Sequence, residues 1–233
     1  MTRKILQEER RWWKKGFKRV VGLDESGRGP LAGPVLAAAV KSDFPLLKNF
    51  RKSDFVHNRA SEGSEGEKED EILFRLKDSK KLTPKKREEF YKILTKHPNI
   101  EWGTGRVSEK VIDKINILEA TKLAMIRAIE KLKIKNKKLK IDYLILDGNF
   151  KIDLPIPQKS IVKADGKVFS CMAAGIIAKV TRDRIMQNYH KKYPRYGFNQ
   201  HKGYPTKLHL KMLQKHGPAK IHRKTFGPLK RFF

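Results

Sequence analysis

One cysteine in 233 residues, Cys171, leaves this chain without any internal disulfide. Its setting, Phe169-Ser170-Cys171-Met172-Ala173-Ala174, is apolar and small, which points to a packed thiol and not to a nucleophile. No apolar run approaches the ~20 residues of a membrane helix. The stretch from Met1 to Lys18 is charged throughout and lacks the apolar centre of a secretory signal. These absences predict a soluble, cytoplasmic protein in a reducing compartment. Acidic residues are scarce as well: 25 Asp and Glu stand against 54 Lys and Arg, for a formal net charge of +29. Such a surplus points to a polyanionic partner, nucleic acid first, although a lysine-rich thermostable surface also fits 34% charged residues.

The chain is long enough for one substantial core with a small appended part. Val20-Val21-Gly22-Leu23 reads as a buried strand stopping near Asp24, and Leu31 to Val40 as a second strand paired with it. Residues 44 to 74 form an insertion whose Ser61 to Asp70 portion is acidic and glycine-punctuated, a mobile surface segment by composition. Thr83-Pro84 starts a helix through Leu94, and Ile100 to Val107 resembles a strand. Ile117 to Ile129 is an amphipathic helix running into a lysine-rich stretch, and Ile141 to Leu146 is the clearest buried strand, closed by Asp147-Gly148. Ser160 to Ala164 is a further short strand, ended by Asp165-Gly166. A long helix from about Val168 to Lys191 has small residues for close packing, and Thr206 opens the last helix. The alternation is that of an α/β protein with a helical C-terminal portion.

Acidic residues thus recur where strands end: Asp24 and Glu25, then Asp147, then Asp165. If these strands are neighbours, four carboxylates meet at one sheet edge, where divalent cations relieve their repulsion. Both Asp24 and Glu25 can serve one site only if the strand ends there, because successive strand residues point to opposite faces. Oxygen-only ligands favour Mg²⁺ or Mn²⁺ over Zn²⁺, and two such ions can drive phosphodiester hydrolysis. Gly27 and Gly29 let peptide N–H groups approach a ligand, and Arg28 between them offers a planar fork. Asp142, at the far end of its strand, and Asp183, between Arg182 and Arg184, read as structural partners. Five of the histidines, His190, His201, His209, His216 and His222, fall near the C-terminus without cysteine partners or ligand spacing, which favours packing or phosphate contact over a metal. Lys163, Lys167, Lys179 and Lys202 are candidates for backbone contacts.

From about Val20 to Phe226 the chain resembles the ribonuclease HII (type 2 ribonuclease H) family. The resemblance rests on Asp24 to Pro34, Asp78-Ser79-Lys80-Lys81-Leu82, Asn116-Ile117 with Ala120-Thr121, Asp147-Gly148, Lys163-Ala164-Asp165, and Ala178-Lys179-Val180-Thr181-Arg182-Asp183-Arg184. His201 to Thr206, His216-Gly217-Pro218 and His222-Arg223 complete it. It implies an RNase H-like fold: a mixed five-stranded sheet flanked by helices, in a catalytic domain over residues 1–191. A basic, helical segment over 192–233 completes the substrate site. It implies a metal-dependent endonuclease acting on RNA/DNA hybrids and 5′ of single ribonucleotides in duplex DNA, leaving 3′-hydroxyl and 5′-phosphate ends. Asp24, Glu25, Asp147 and Asp165 would be the catalytic metal ligands, with Mg²⁺ or Mn²⁺ as cofactor. Gly27, Arg28, Gly29 and Tyr204 would recognise the ribonucleotide, and Lys163 and Lys202 would contact the backbone. The expected state is a monomer with no membrane association. The terminal Phe232-Phe233 suggests a weak sliding-clamp contact, with packing on the body the favoured alternative. Two other readings stand beside this one: a type 3 ribonuclease H, disfavoured by the short stretch before the first strand, and a non-catalytic basic nucleic-acid-binding protein.

Overall fold

The apolar run from Val20 does form a strand, β1 (Val20–Ser26), but the strand does not stop at Asp24. It continues through Glu25 to Ser26 because its neighbour β2 (Val35–Ser42) pairs with it antiparallel over that whole length, from Val21↔Lys41 to Ser26↔Leu36. The structure is a computed structural model that describes residues 7–42 and 82–232; the expected insertion from 44 to 74, and the motif residues 78–81, lie outside them. Three further strands, β3 (Ile100–Val107), β4 (Tyr143–Asp147) and β5 (Gln158–Ile161), complete one five-stranded sheet in the order β3-β2-β1-β4-β5. Pairs β2–β3 and β1–β2 are antiparallel; β1–β4 and β4–β5 are parallel, which makes the sheet mixed as the family resemblance implied. The fifth expected strand, read over Ser160 to Ala164, ends earlier, at Ile161, and Asp165 sits beyond it in a one-turn 3-10 helix, Ala164–Gly166.

Side-chain alternation sorts the sheet into two faces. On one face Leu36, Ala38 and Val40 of β2 pack against Phe169, Met172, Ala173, Ile176 and Ile177 of a long helix, Phe169–Lys192. On the other, Val21, Leu23, Ala37, Ala39, Leu144 and Leu146 pack against the helix Glu109–Lys135. The remaining helices are α1 (Gln7–Lys14), α2 (Pro84–Lys96), the short α5 (Phe198–His201) and α6 (Lys207–His216), so the two long ones are α3 (Glu109–Lys135) and α4 (Phe169–Lys192). Thr83 and Thr206 cap α2 and α6 through their hydroxyls, as their positions before the helices suggested. Within α3, Asn116 takes a left-handed φ of 64°, and its Oδ1 accepts from Leu118 N (2.8 Å) and Glu119 N (3.1 Å). The side chain thereby restarts the helix at Ile117, where the amphipathic pattern begins.

Both long helices lie very close to the sheet, and glycines make that possible. A Cβ on Gly22 would stand 2.3 Å from Ser170 Oγ, at the start of α4. A Cβ on Gly103 or Gly105 would stand 2.4 Å from the Ala128 carbonyl or 2.1 Å from the Ala124 carbonyl of α3. Cys171 is fully buried beneath the sheet, its Sγ donating to Ile145 O (3.4 Å), and burial pushes its thiol well above the usual range. Asp142 accepts from Lys18 N and Arg19 N at the opposite end of β4 from Asp147, the structural role expected of it.

α1 closes the other end of the molecule. Trp12 stacks on Tyr143 at 3.9 Å, and the buried Glu9 accepts from Ser170 N (2.9 Å) and Ser170 Oγ (3.0 Å), satisfying a free amide in the first turn of α4. Burial pushes the Glu9 carboxyl up to about 7 despite those hydrogen bonds. The folded chain therefore keeps a proton that the unfolded chain loses near 4.5, and stability falls as pH rises from about 4.5 to about 7. Glutamine keeps the accepting oxygen without the charge. Glu9→Gln is expected to raise stability at pH 8 by roughly 3 kcal/mol, an advantage that shrinks at pH 5; thermal denaturation at the two pH values reads it.

Candidate active site

Pairing between β1 and β4 ends at Leu23↔Leu146, so the next residues, Asp24 within β1 and Asp147 at the end of β4, stand side by side just past the paired stretch. Both point to the α4 face: Asp24 is opposite Ala38, which packs on α4, and Asp147 lies two residues on from Ile145, in the cluster below α4. Ala164 N donates to Asp147 Oδ1 (2.9 Å), and this bond brings the 3-10 turn, with Asp165, up to the same place. One carboxylate oxygen from each of Asp24, Asp147 and Asp165 lies within 4.8 Å of the others. Asp24 and Asp165 are buried, at 6% and 3% exposure. Burial, then the charges of Glu25 and Asp147, pushes the Asp24 carboxyl well above the usual carboxylate range. An all-oxygen trio, two of its members buried and the third partly so, fits a hard divalent cation and offers nothing to a soft one.

Glu25 is the exception among the four expected carboxylates. Since β1 runs on to Ser26, Glu25 lies opposite Ala37 and starts from the α3 face, so it is not part of the trio. It still lines the same cleft, and Arg28 Nη1 stands 3.5 Å from its Oε1.

The cleft has a volume of about 250 Å³. Its lining includes Asp24, Glu25, Gly27, Arg28, Gly29, Asp147 and Tyr204, which unites most of the residues picked from sequence. Tyr204 is 39% exposed, with Lys179 Nζ at 5.8 Å and the Arg182 guanidinium at 5.9 Å from its ring. Lys163 and Lys202 do not line it. Lys163 is exposed ahead of the Asp165 turn in a left-handed conformation, and Lys202 folds back so that its Nζ donates to Asn199 O. Among the described residues, the cations that do line the cleft are Arg28, Lys179 and Arg87, the last unforeseen. Asp183 joins two of them, Lys179 at 2.7 Å and Arg87 at 3.9 Å, so its structural role is the one expected, with partners set by the fold. Arg87 follows the Thr83-Pro84 cap by one helical turn, and nothing in that local pattern marks which way it faces.

Three of the C-terminal histidines, His201, His209 and His222, are packing residues. His209 and His222 meet at 3.0 Å between ring nitrogens, and His201 stacks on His209 at 4.4 Å. Burial lowers His209 and His222 to about 4, which leaves both neutral at physiological pH.

Residues 66–228 match the family model for ribonuclease HII. The chain is 46% identical over 219 residues to the ribonuclease HII of Bacillus velezensis, an alignment covering 94% of this chain and 73% of the relative. Among solved structures, the ribonuclease H2 of Pyrococcus horikoshii superposes with a TM-score of 0.64 at 26% identity, covering 92% of this chain and 96% of that one. A type 3 enzyme, Bst-RNase HIII in complex with Mn²⁺, reaches a TM-score of 0.65 over 91% of this chain and 68% of its own, but at 16% identity it shares the fold alone. Fold similarity therefore does not separate the two types, whereas sequence does, and the chain belongs to the ribonuclease HII family and is a ribonuclease H.

Proposed function

We propose that this ribonuclease H cuts the RNA strand of RNA/DNA hybrids and cleaves 5′ of single ribonucleotides embedded in duplex DNA, leaving 3′-hydroxyl and 5′-phosphate ends. The observation that supports this reading is the carboxylate trio of Asp24, Asp147 and Asp165 at a cleft whose lining includes Gly27, Arg28, Gly29 and Tyr204. The trio, joined by Glu25 from the other face of β1, would hold the Mg²⁺ or Mn²⁺ ions. Bound there, such ions supply an activated water and stabilise the leaving oxygen of a phosphodiester.

The chain's own residues do the rest. Arg87 and Lys179, steadied by Asp183, present positive charge to the phosphate backbone. The Gly27-Arg28-Gly29 turn and Tyr204 bracket a sugar from two sides, and a 2′-hydroxyl is the group that distinguishes RNA there. The segment after residue 192 brings Tyr204 to the cleft and so completes the substrate site. Its own core of Tyr196, Phe198, Leu213, Ile221 and Leu229 also receives the partly buried Phe232. That packing weighs against a sliding-clamp contact through Phe232. A chain lacking Phe232 and Phe233 that bound a clamp as well as the parent does would dispose of the contact.

A labelled DNA duplex with one ribonucleotide, incubated with Mg²⁺ or Mn²⁺, is expected to be cut 5′ of that ribonucleotide, and an all-DNA duplex left intact. Binding without cutting under either metal would instead make the chain a basic nucleic-acid-binding protein.

A further inference from the structure

Two guanidiniums lie under the turn that follows β1, each fully buried and neither ion-paired among the described residues. Arg182 of α4 donates from Nε to Pro34 O (3.0 Å), from Nη2 to Ala32 O (3.2 Å) and from Nη1 to Lys202 O (3.1 Å). Arg223, in the C-terminal segment, donates from Nη2 to Gly27 O (2.6 Å), from Nη1 to Arg28 O (2.9 Å), and from Nε and Nη2 to Gly33 O (2.9 and 2.8 Å). A buried cation satisfied only by carbonyls is costly, so its use in shaping the turn needs an account.

Peptide geometry gives one. A trans peptide sets its C=O and N–H on opposite sides, and no described peptide is cis. With the Gly27 and Arg28 carbonyls fixed on Arg223 from the buried side, the N–H groups of Arg28 and Gly29 are turned the other way, toward the cleft these residues line. Open space lies there: a Cβ on Gly29 would meet nothing nearer than Tyr204 Cε1, at 3.8 Å. Arg223 itself is held in register from both sides. Its N–H donates to Leu31 O (2.9 Å), His222 bridges to Ala32, and Asp113 of α3 accepts from Lys224 N, Thr225 N and Thr225 Oγ1 at 3.0, 3.1 and 2.8 Å.

We infer that Arg223 is a positioning residue for ribose recognition: it holds two adjacent peptide N–H donors outward, facing Tyr204, where a 2′-hydroxyl is read. This rests on the proposed role of Gly27-Arg28-Gly29. Lysine cannot replace it, because the task needs a rigid fork reaching several carbonyls at once and not a point charge.

The test measures affinity of the Asp24→Asn protein for two duplexes that differ by one 2′-hydroxyl. That protein is expected to prefer the ribonucleotide duplex by roughly tenfold, the worth of about one well-made hydrogen bond. Adding Arg223→Lys should bring the ratio close to one while affinity for the all-DNA duplex stays within about twofold. Asp113→Ala, which loosens the anchor without touching Arg223, should lower the ratio part of the way. General damage to the fold would weaken both duplexes together. An unchanged ratio in folded Arg223→Lys protein overturns the inference, and if that variant does not fold, an unchanged ratio in Asp113→Ala does so. No ribose preference in Asp24→Asn itself would remove the reading role of the turn, and with it the role of Arg223.

Discussion

Asp24→Asn is expected to lower cleavage by roughly 10³-fold or more, the scale on which loss of one preorganised charge acts at a reacting centre, while the variant still binds a ribonucleotide-containing duplex. The two side chains have the same shape, and the Asn oxygen can keep the bond that Asp24 Oδ1 accepts from Glu25 N (2.7 Å), so β1 need not move. What disappears is a buried negative charge beside Asp147 and Asp165. In the absence of divalent ions that charge is a burden on the fold, because burial and the neighbouring carboxylates disfavour it. The variant should therefore melt at a higher temperature than the parent in chelator. The order should reverse on adding Mn²⁺, which stabilises only a chain that binds it. Equal cleavage by parent and variant would remove Asp24 from the site, and equal cleavage by Asp147→Asn would remove Asp147.

Gly105→Ala should be among the most damaging single methyl additions to the fold. The new Cβ would lie 2.1 Å from the Ala124 carbonyl and 2.6 Å from the Ala128 amide, both backbone atoms of α3 that no rotamer change can move. Relief requires lifting α3 off the sheet, which opens its contacts with Ala37 and Ala39 as well. The expected loss is about 3 kcal/mol or more, at or beyond the top of the usual range for overpacking, a fall in melting temperature of roughly 6–12 °C for a chain of this size. Gly227→Ala, where the added atom meets nothing within 4 Å, is the matched control and should melt with the parent. A Gly105→Ala protein that melted with it too would mean that α3 sits further from the sheet.

Much of this layout was legible in the sequence for a local reason. An apolar run followed by an acid marks where a strand's buried part gives out, which picked out Asp24 and Asp147, and the helix starts at Thr83 and Thr206 are read within one helical turn. What was not legible depends on partners far along the chain. The strand carrying Asp24 extends to Ser26 only because β2 pairs with it, and that pairing puts Glu25 on the other face. Asp165 followed a β-rich stretch and so read as a strand end; the bond from Ala164 to Asp147 instead draws it into a helical turn. Lys163 and Lys202 were chosen from 54 basic residues by motif, and motif does not say where a long side chain points. Arg182 and Arg223 stood in motifs of the resemblance, Ala178 to Arg184 and His222-Arg223, with no role assigned to either. Lys202 apart, 20 residues on from Arg182, their carbonyl partners lie 148 or more residues from Arg182 and 190 or more from Arg223, beyond any local pattern.

Cys171 gives the molecule a built-in clock. Its sulfur is sealed between β4 and α4, directly under the layer that holds Asp24 and Asp147, and in that state it is neither accessible nor ionised. A thiol reagent can react only with molecules in which α4 has parted from the sheet, so the labelling rate counts those openings. With no second thiol anywhere in the chain, every count comes from the same spot.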